Sequence, residues 1–253
     1  VYYASKSDSL TGTVVGIETI SGACNITIRE SILNIGHDYE CQNTDGFQIA
    51  ANNIIFDCQN HYIKCIGCNS TTGEVGIRLS GRSNVTIKNC YIYNFTDGIR
   101  IDQNSHDNIL LTNFFYNNTD GVDINNATGN NLTQNNFNQN IQCGINISNM
   151  NNNIATTSTY NNLWNNKIFS NTPGNWEACN DVGSYNHWNL DKTCPSTAYN
   201  STHTYSQAGI STTNIRSGQC LGGNWWSNYT GLDNTGDGLG DTSTPYSAIK
   251  ILQ

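Results

Sequence analysis

Short apolar–polar–apolar runs, each opened by glycine, recur along the middle of this chain. They are Gly76-Ile77-Arg78-Leu79, Gly98-Ile99-Arg100-Ile101, Gly121-Val122-Asp123-Ile124 and Gly144-Ile145-Asn146-Ile147, at spacings of 22, 23 and 23 residues. An earlier copy, Gly46-Phe47-Gln48-Ile49, lies 30 residues upstream of Gly76, and the segment from Cys65 to about Gly73 reads as an insertion that supplies the extra length. A second series, Asn53-Ile54, Asn84-Val85, Asn108-Ile109, Asn131-Leu132 and Asn153-Ile154, opens stretches with apolar residues at alternate positions, such as Val85 and Ile87. Alternation at period 2 predicts half-buried strands, and such strands inside a period near 23 predict a solenoid with one coil per repeat. Helical repeats need more than ~30 residues per unit, and the fixed leucine pattern of leucine-rich repeats does not occur here.

The expected fold is all-β: a right-handed parallel β-helix with coils of about 22–23 residues, an N-terminal cap and an irregular Gly/Trp-rich C-terminal region. Residues 1–45 read as arm and cap, 46–160 as the helix and 161–253 as the tail. Three buried columns are expected: Ile77, Ile99, Val122 and Ile145; Leu79, Ile101, Ile124 and Ile147; and Ile54, Val85, Ile109, Leu132 and Ile154. Two sets of asparagines, Asn89, Asn113 and Asn136 and then Asn94, Asn117 and Asn140, share repeat positions. Coils stack about 4.8 Å apart, so these sets are expected to form amide ladders. At the start, Val1-Tyr2-Tyr3-Ala4-Ser5 is β-prone and is followed by a polar stretch from Lys6 to Gly12. Such an arm is expected to fold back on its own chain or to pair with a neighbouring subunit as an added strand, giving self-association.

Composition sharpens this picture. Asparagine occurs 42 times and charged residues make up only 12%; asparagine favours turns and left-handed backbone over helix. The formal net charge is −8, with 11 Lys and Arg, too few cations for a basic patch, which excludes nucleic acid as a partner. No run of apolar residues is long enough for a membrane span. The chain opens at Val1 with no signal segment, as a processed mature form or a trimmed chain would.

Ten cysteines, an even number, fit an oxidising compartment: Cys24, Cys41, Cys58, Cys65, Cys68, Cys90, Cys143, Cys179, Cys194 and Cys220. Cys58 and Cys90 occupy nearly equivalent places in successive coils. Cys24–Cys41, Cys65–Cys68 and Cys179–Cys194 are the local pairings, which leaves Cys143 for Cys220. Ten N-x-S/T sequons also point to export. Asn84, Asn94, Asn117 and Asn131 lie in ladder columns, which leaves Asn25, Asn69, Asn126, Asn146, Asn200 and Asn228 as glycosylation candidates. The expected location is extracellular or at the cell surface.

Several stretches resemble a known family. The run Asn53-Ile54-Ile55-Phe56-Asp57-Cys58-Gln59-Asn60-His61-Tyr62-Ile63 and the coil Asn84-Val85-Thr86-Ile87-Lys88-Asn89-Cys90 resemble NosD-like parallel β-helix repeat proteins, many of them archaeal surface proteins. The tail is similar to theirs in order: Trp188 with Lys192-Thr193, Gly222-Gly223-Asn224-Trp225-Trp226-Ser227-Asn228-Tyr229, the Asp-rich stretch from Asp233 to Asp241, and Pro245-Tyr246. The resemblance covers roughly residues 40 to 248; it implies the fold and leaves the function open. NosD is named for a periplasmic role in copper-site assembly. Here the soft or imidazole donors Met150, His37, His61, His106, His187 and His203 are scattered over different repeat positions and read as surface or turn residues.

Four constellations carry candidate chemistry. Asp233, Thr235, Asp237, the Leu239 carbonyl and Asp241 fall at calcium-loop spacing, with Gly238 at the sharp turn. A structural calcium is expected, although Thr235 and Thr244 stand where that pattern has an acid or amide; the plain alternative is an ion-free Asx turn. Asp97 and Asp120 are expected to stack in adjacent coils, beside Asp102, Asp123, Arg78 and Arg100. Paired carboxylates on such a face suit a polysaccharide hydrolase or lyase, but turn chemistry and an Arg100–Asp123 ion pair account for them more simply. Cys65-Ile66-Gly67-Cys68 reads as a loop staple rather than a redox motif, and Trp164, Trp176, Trp188, Trp225 and Trp226 as core of the tail rather than a sugar platform. The function expected is a non-catalytic, self-associating surface or structural protein: envelope component, adhesin or filament subunit. The alternatives are a polysaccharide-binding or polysaccharide-cleaving β-helix and a NosD-like copper accessory protein.

Overall fold

The computed structural model describes residues 24–68, 72–148, 160–169, 171, 177–181, 186–188, 223–226, 232, 234 and 249–252. The expected arm at residues 1–12, the loop Asp233, Thr235, Asp237, Leu239 and Asp241, and Asn69, Asn200, Asn228, Cys194, Cys220, Met150, Ile154, Trp176 and His203 lie outside the described residues.

The chain winds through three sheets in turn. The first coil contributes β1 (Ile26–Ile28) and β2 (Tyr39–Gln42), and the second β3 (Phe47–Ile49), β4 (Ile55–Asp57) and β5 (Tyr62–Ile66). The third adds β6 (Val75–Ser80), β7 (Thr86–Lys88) and β8 (Tyr91–Tyr93); the fourth β9 (Asp97–Asp102), β10 (Ile109–Leu111) and β11 (Phe114–Tyr116). The fifth adds β12 (Asp120–Asn125), β13 (Asn131–Thr133) and β14 (Asn136–Asn138); the sixth β15 (Cys143–Ser148), β16 (Asn162–Trp164) and β17 (Lys167–Phe169). Then follow β18 (Ala178–Asp181), β19 (Trp225–Trp226) and β20 (Ile249–Leu252). Among the described residues there is no helix, and every strand pairing is parallel. The sheets run β1-β3-β6-β9-β12-β15-β18-β20, β16-β13-β10-β7-β4 and β19-β17-β14-β11-β8-β5-β2. The stack therefore extends on both sides of residues 46–160.

The first sheet follows the sequence pattern. Ile77, Ile99, Val122 and Ile145 stack in register, as do Leu79, Ile101, Ile124 and Ile147, all of them fully buried. Each such side chain contributes about 1.5–3 kcal/mol by leaving water. The glycines that open these strands are required by close approach. A Cβ on Gly76 would lie 2.5 Å from the Gly98 carbonyl oxygen, and one on Gly98 2.5 Å from that of Gly121.

The second sheet corrects the expected third column. Ile109 pairs with Thr86 and Asn131 and is only half-buried, whereas Leu110 stacks with Ile87 and Leu132 inside. A register slip of one residue moves a side chain to the opposite face. The slip arises at the corner: Asn53, Asn84, Asp107, Gly129 and Tyr160 all take positive φ, and the next residue points inward. That next residue is Ile54 or Val85 in the early coils and Asn108, Asn130 or Asn161 in the later ones.

The amide ladders keep Asn113 and Asn140 from the expected sets but otherwise run through different residues. Asn108 donates to Asn130 (2.9 Å), Asn130 to Asn161 (3.0 Å) and Asn161 to Asn186 (2.9 Å). A second ladder links Asn113, Asn135, Asn166 and Asn224, and a third links Asn118, Asn140 and Asn171 and ends on the Glu177 carboxylate. Each Oδ1 also accepts a backbone N–H from the preceding coil, so these buried amides are paired inside an apolar core. Asn89, Asn94, Asn117 and Asn136 stand outside them. Asn89 and Asn94 take left-handed backbone, Asn89 donates to Asp57 and Asn117 to Asn94, both at 2.9 Å. Left-handed corners account for part of the asparagine excess: among the described residues, 11 of the 18 non-glycine residues with positive φ are Asn.

Among the described residues, four cysteine pairs tie neighbouring segments: Cys24–Cys41, Cys58–Cys90, Cys65–Cys68 and Cys143–Cys179, with Cα separations of 5.3, 4.8, 5.8 and 6.0 Å. The last overturns both expected C-terminal pairings, Cys179–Cys194 and Cys143–Cys220. β15 and β18 are sheet neighbours with Asn146 opposite Cys179, which brings Cys143 within bridging reach despite a sequence separation of 36.

Candidate functional site

Two outward faces concentrate chemistry. On the first sheet, Asp97 stacks on Asp120, and Arg78, Arg100, Asp123 and Asn146 form the adjoining column. Arg100 is ion-paired with Asp97 and reaches Asp123 through Nε at 3.3 Å; Arg78 reaches Asp45 at 3.4 Å. Asp120 accepts from the Cys143 N–H (3.0 Å) and from Asn146 Nδ2 (2.9 Å). The stacked carboxylates and the Arg100–Asp123 pair are as expected from sequence.

These acids are enclosed: Asp97, Asp120 and Asp123 are 2%, 6% and 8% exposed. Burial pushes the Asp120 carboxyl up to about 7, helped by the Asp97 charge and opposed by the Asn146 hydrogen bond. Burial also raises Asp123, with Asp97 and Asp120 adding to the effect, and raises Asp97 against the pull of Arg100. Asp123 Oδ1 and Asn146 Oδ1 are buried without hydrogen-bond partners on side chains stacked in register. A carboxylate cannot donate to a neighbouring amide oxygen whereas the protonated acid can, so this arrangement, like burial, disfavours ionisation. A general acid must reach the atom it protonates, and here the carboxylates point into ion pairs and amide bonds of their own sheet.

The outward face of the third sheet is aromatic. One column runs Tyr62, Tyr91, Phe114, Asn136, Lys167 and Trp225; beside it run Lys64, Tyr93, Tyr116, Asn138 and Phe169. Tyr93 lies at the centre, 6.2 Å from Tyr62, 6.1 Å from Phe114 and 6.0 Å from Tyr116, centroid to centroid. Tyr91 and Tyr116 are each 36% exposed. Tyr62, Tyr93, Phe114 and Tyr116 wall an open groove of about 610 Å³ together with Lys64, Asn94 and Asn138. Burial, then the neighbouring Tyr91 and Asp38, pushes the Tyr93 hydroxyl up to about 12, so it remains a proton donor throughout the ordinary pH range. Toward the C-terminal end, Lys167 lies 4.5 Å from the Phe169 centroid and 5.2 Å from that of Trp225. Sequence reasoning did not single out this strip. Its signal was the outer pair of each three-residue strand, Tyr91 and Tyr93 around Ile92, then Phe114 and Tyr116 around Phe115.

Other expected sites fall as follows. Asn25 is exposed, Asn126 is half-buried, and both take left-handed backbone. The Asn146 amide nitrogen donates to Asp120 at 2.9 Å. Trp164 and Trp226 are buried and Trp188 packs against the core, whereas Trp225 belongs to the outer aromatic column.

Three parallel sheets wound coil upon coil define a parallel β-helix protein. The family model described as periplasmic copper-binding protein (NosD) matches residues 17–231, and the chain belongs to the NosD family. Comparison with curated proteins and with solved structures returned no match. The family's periplasmic description and the cysteine pairs at bonding distance agree with a location outside the cytoplasm. The described residues do not fit the copper of that description. Their cysteines are all in disulfides, His61 pairs with Asp38 and His106 with Asp107, and no group of three or more His, Cys, Asp or Glu could hold a metal ion.

Proposed function

We propose that this chain is a non-catalytic, extracellular structural component of the cell surface that self-associates, as an envelope component, adhesin or filament subunit does. The observation that carries this reading is the state of the acidic row. Among the described residues, the acid cluster suited to acid–base work is enclosed, ion-paired through Arg100 and hydrogen-bonded through Asn146. The rest of the molecule favours permanence: three buried amide ladders, and cross-links between segments up to 36 residues apart. A low content of ionisable side chains and a net charge of −8 suit a durable, soluble exterior.

The test pairs negative-stain microscopy and light scattering of the purified chain with incubation on polygalacturonate and neutral glucans. Defined assemblies and no new reducing ends or unsaturated uronates are expected. A monomer at all concentrations would overturn the self-association, and released sugar would overturn the non-catalytic reading.

A further inference from the structure

We propose that the aromatic strip on the third sheet is a binding platform for a neutral polysaccharide, held across the coils from Tyr62 to Tyr116. The inference stands apart from self-association; it concerns a ligand and a face that the structural reading does not use.

The strip has the two kinds of surface a pyranose chain requires. A sugar ring presents C–H faces that pack on aromatic rings, and a rim of hydroxyls that needs donors and acceptors. Tyr62, Tyr93, Phe114 and Tyr116 supply ring faces over three successive coils. The amides of Asn94 and Asn138 and the tyrosine hydroxyls stand among them. Coils repeat about every 4.8 Å, so the platform is a periodic track suited to a polymer rather than a closed pocket for one small molecule. The concentration is specific to this face. The corresponding outward positions of the first sheet are Arg78, Arg100, Asp123 and Asn146, and those of the second are Thr86, Ile109, Asn131 and Asn162.

Charge decides the ligand class. Lys64 alone among the groove-lining residues is charged, on a chain of net charge −8. A polyanionic glycan or a single-stranded nucleic acid needs a cationic track beside its stacking rings, and one lysine does not make one. A second copy of this acidic chain needs roughly 800 Å² of matched surface per partner, and the groove is a narrow aromatic track broken by amides. A neutral chain of hexopyranose units fits ring faces, amides and near-neutral charge together.

The test is affinity electrophoresis of the full chain through native gels containing hydroxyethylcellulose, galactomannan or laminarin, with polygalacturonate as the anionic comparator. Retardation by at least one neutral polymer is expected, with affinity lowered ~10-fold or more in Tyr93→Ala/Tyr116→Ala, because a stacking contact of this kind is worth up to about a factor of ten. Tyr160→Ala, at an exposed ring off the strip, should leave retardation unchanged. Tyr116→Ala alone removes a well-exposed ring and guards against misfolding of the double variant, which circular dichroism checks. No retardation by any neutral polymer overturns the proposal, and so does equal retardation of the double variant. A double variant whose assemblies dissociate in light scattering, without polysaccharide binding by the parent chain, would assign the strip to contacts between copies and overturn it equally.

Discussion

Asn113 donates from its amide nitrogen to the Oδ1 of Asn135 at 3.1 Å, and its backbone N–H reaches the same oxygen at 2.9 Å. One buried oxygen thus joins two coils by two bonds, in a core made mostly of Ile, Leu, Val and Phe. Deleting it leaves buried donors unmet, at about 1–3 kcal/mol each. Asn135→Ala is therefore expected to cost about 3 kcal/mol in urea unfolding. Asn136→Ala, one residue on and facing outward, should cost less than ~0.5 kcal/mol. Equal effects at the two positions would mean that the register is wrong.

The glycine column gives a second stability test. A methyl group on Gly98 meets the Gly121 carbonyl oxygen at 2.5 Å and the Phe115 ring at 2.8 Å, and neither backbone nor stacked ring gives way cheaply. Gly98→Ala should lower stability by roughly 1–3 kcal/mol through overpacking, read as a lower urea midpoint. An unchanged midpoint would show that the coils are less tightly stacked than described.

How far the sequence revealed this molecule depends on the sheet. The first sheet was legible because its strands carry two inward apolar residues around one polar one, as in Ile99-Arg100-Ile101, and glycine marks their start. The second was misread by one residue in the middle coils because the inward corner position there is Asn, not Ile or Val. Asn108-Ile109 looked like Asn84-Val85, but Asp107 is the left-handed residue and Asn108 the buried one. The third sheet left little periodic signal, since from β8 to β17 each strand has a single inward residue and Phe114-Phe115-Tyr116 reads as uniformly apolar. Pairing Cys143 with Cys179 needed knowledge that β18 follows β15 in the sheet, and the sequence separation of 33 between the paired Ile145 and Ala178 hides that relation.

The cross-links can be mapped directly. Proteolysis of the unreduced, alkylated protein followed by mass spectrometry should yield linked peptides for Cys58–Cys90 and Cys143–Cys179. A Cys143–Cys220 peptide would contradict the order of strands at this end of the first sheet.

The acidic row sets a pH dependence. Asp120 titrates near 7 in the folded chain against an ordinary value of 3.8, and burial moves Asp123 in the same direction. The folded state therefore holds protons that the unfolded state has released. Stability is fully present below about pH 4 and is lost as pH rises through 7 and beyond. The melting temperature should fall between pH 5 and pH 8, and Asp120→Asn/Asp123→Asn should flatten that slope. A wild-type melting temperature that rises over this interval would mean that both acids are ionised in the fold.

The central claim, a structural component outside the cytoplasm, is tested most directly by protease shaving of intact cells that produce the chain, with antibody detection in the surface, envelope and cytoplasmic fractions. The chain is expected in the envelope or surface fraction, with its cysteines oxidised, and lost on protease treatment while a cytoplasmic marker survives. A chain protected with the cytoplasmic fraction, and carrying free thiols, would contradict it.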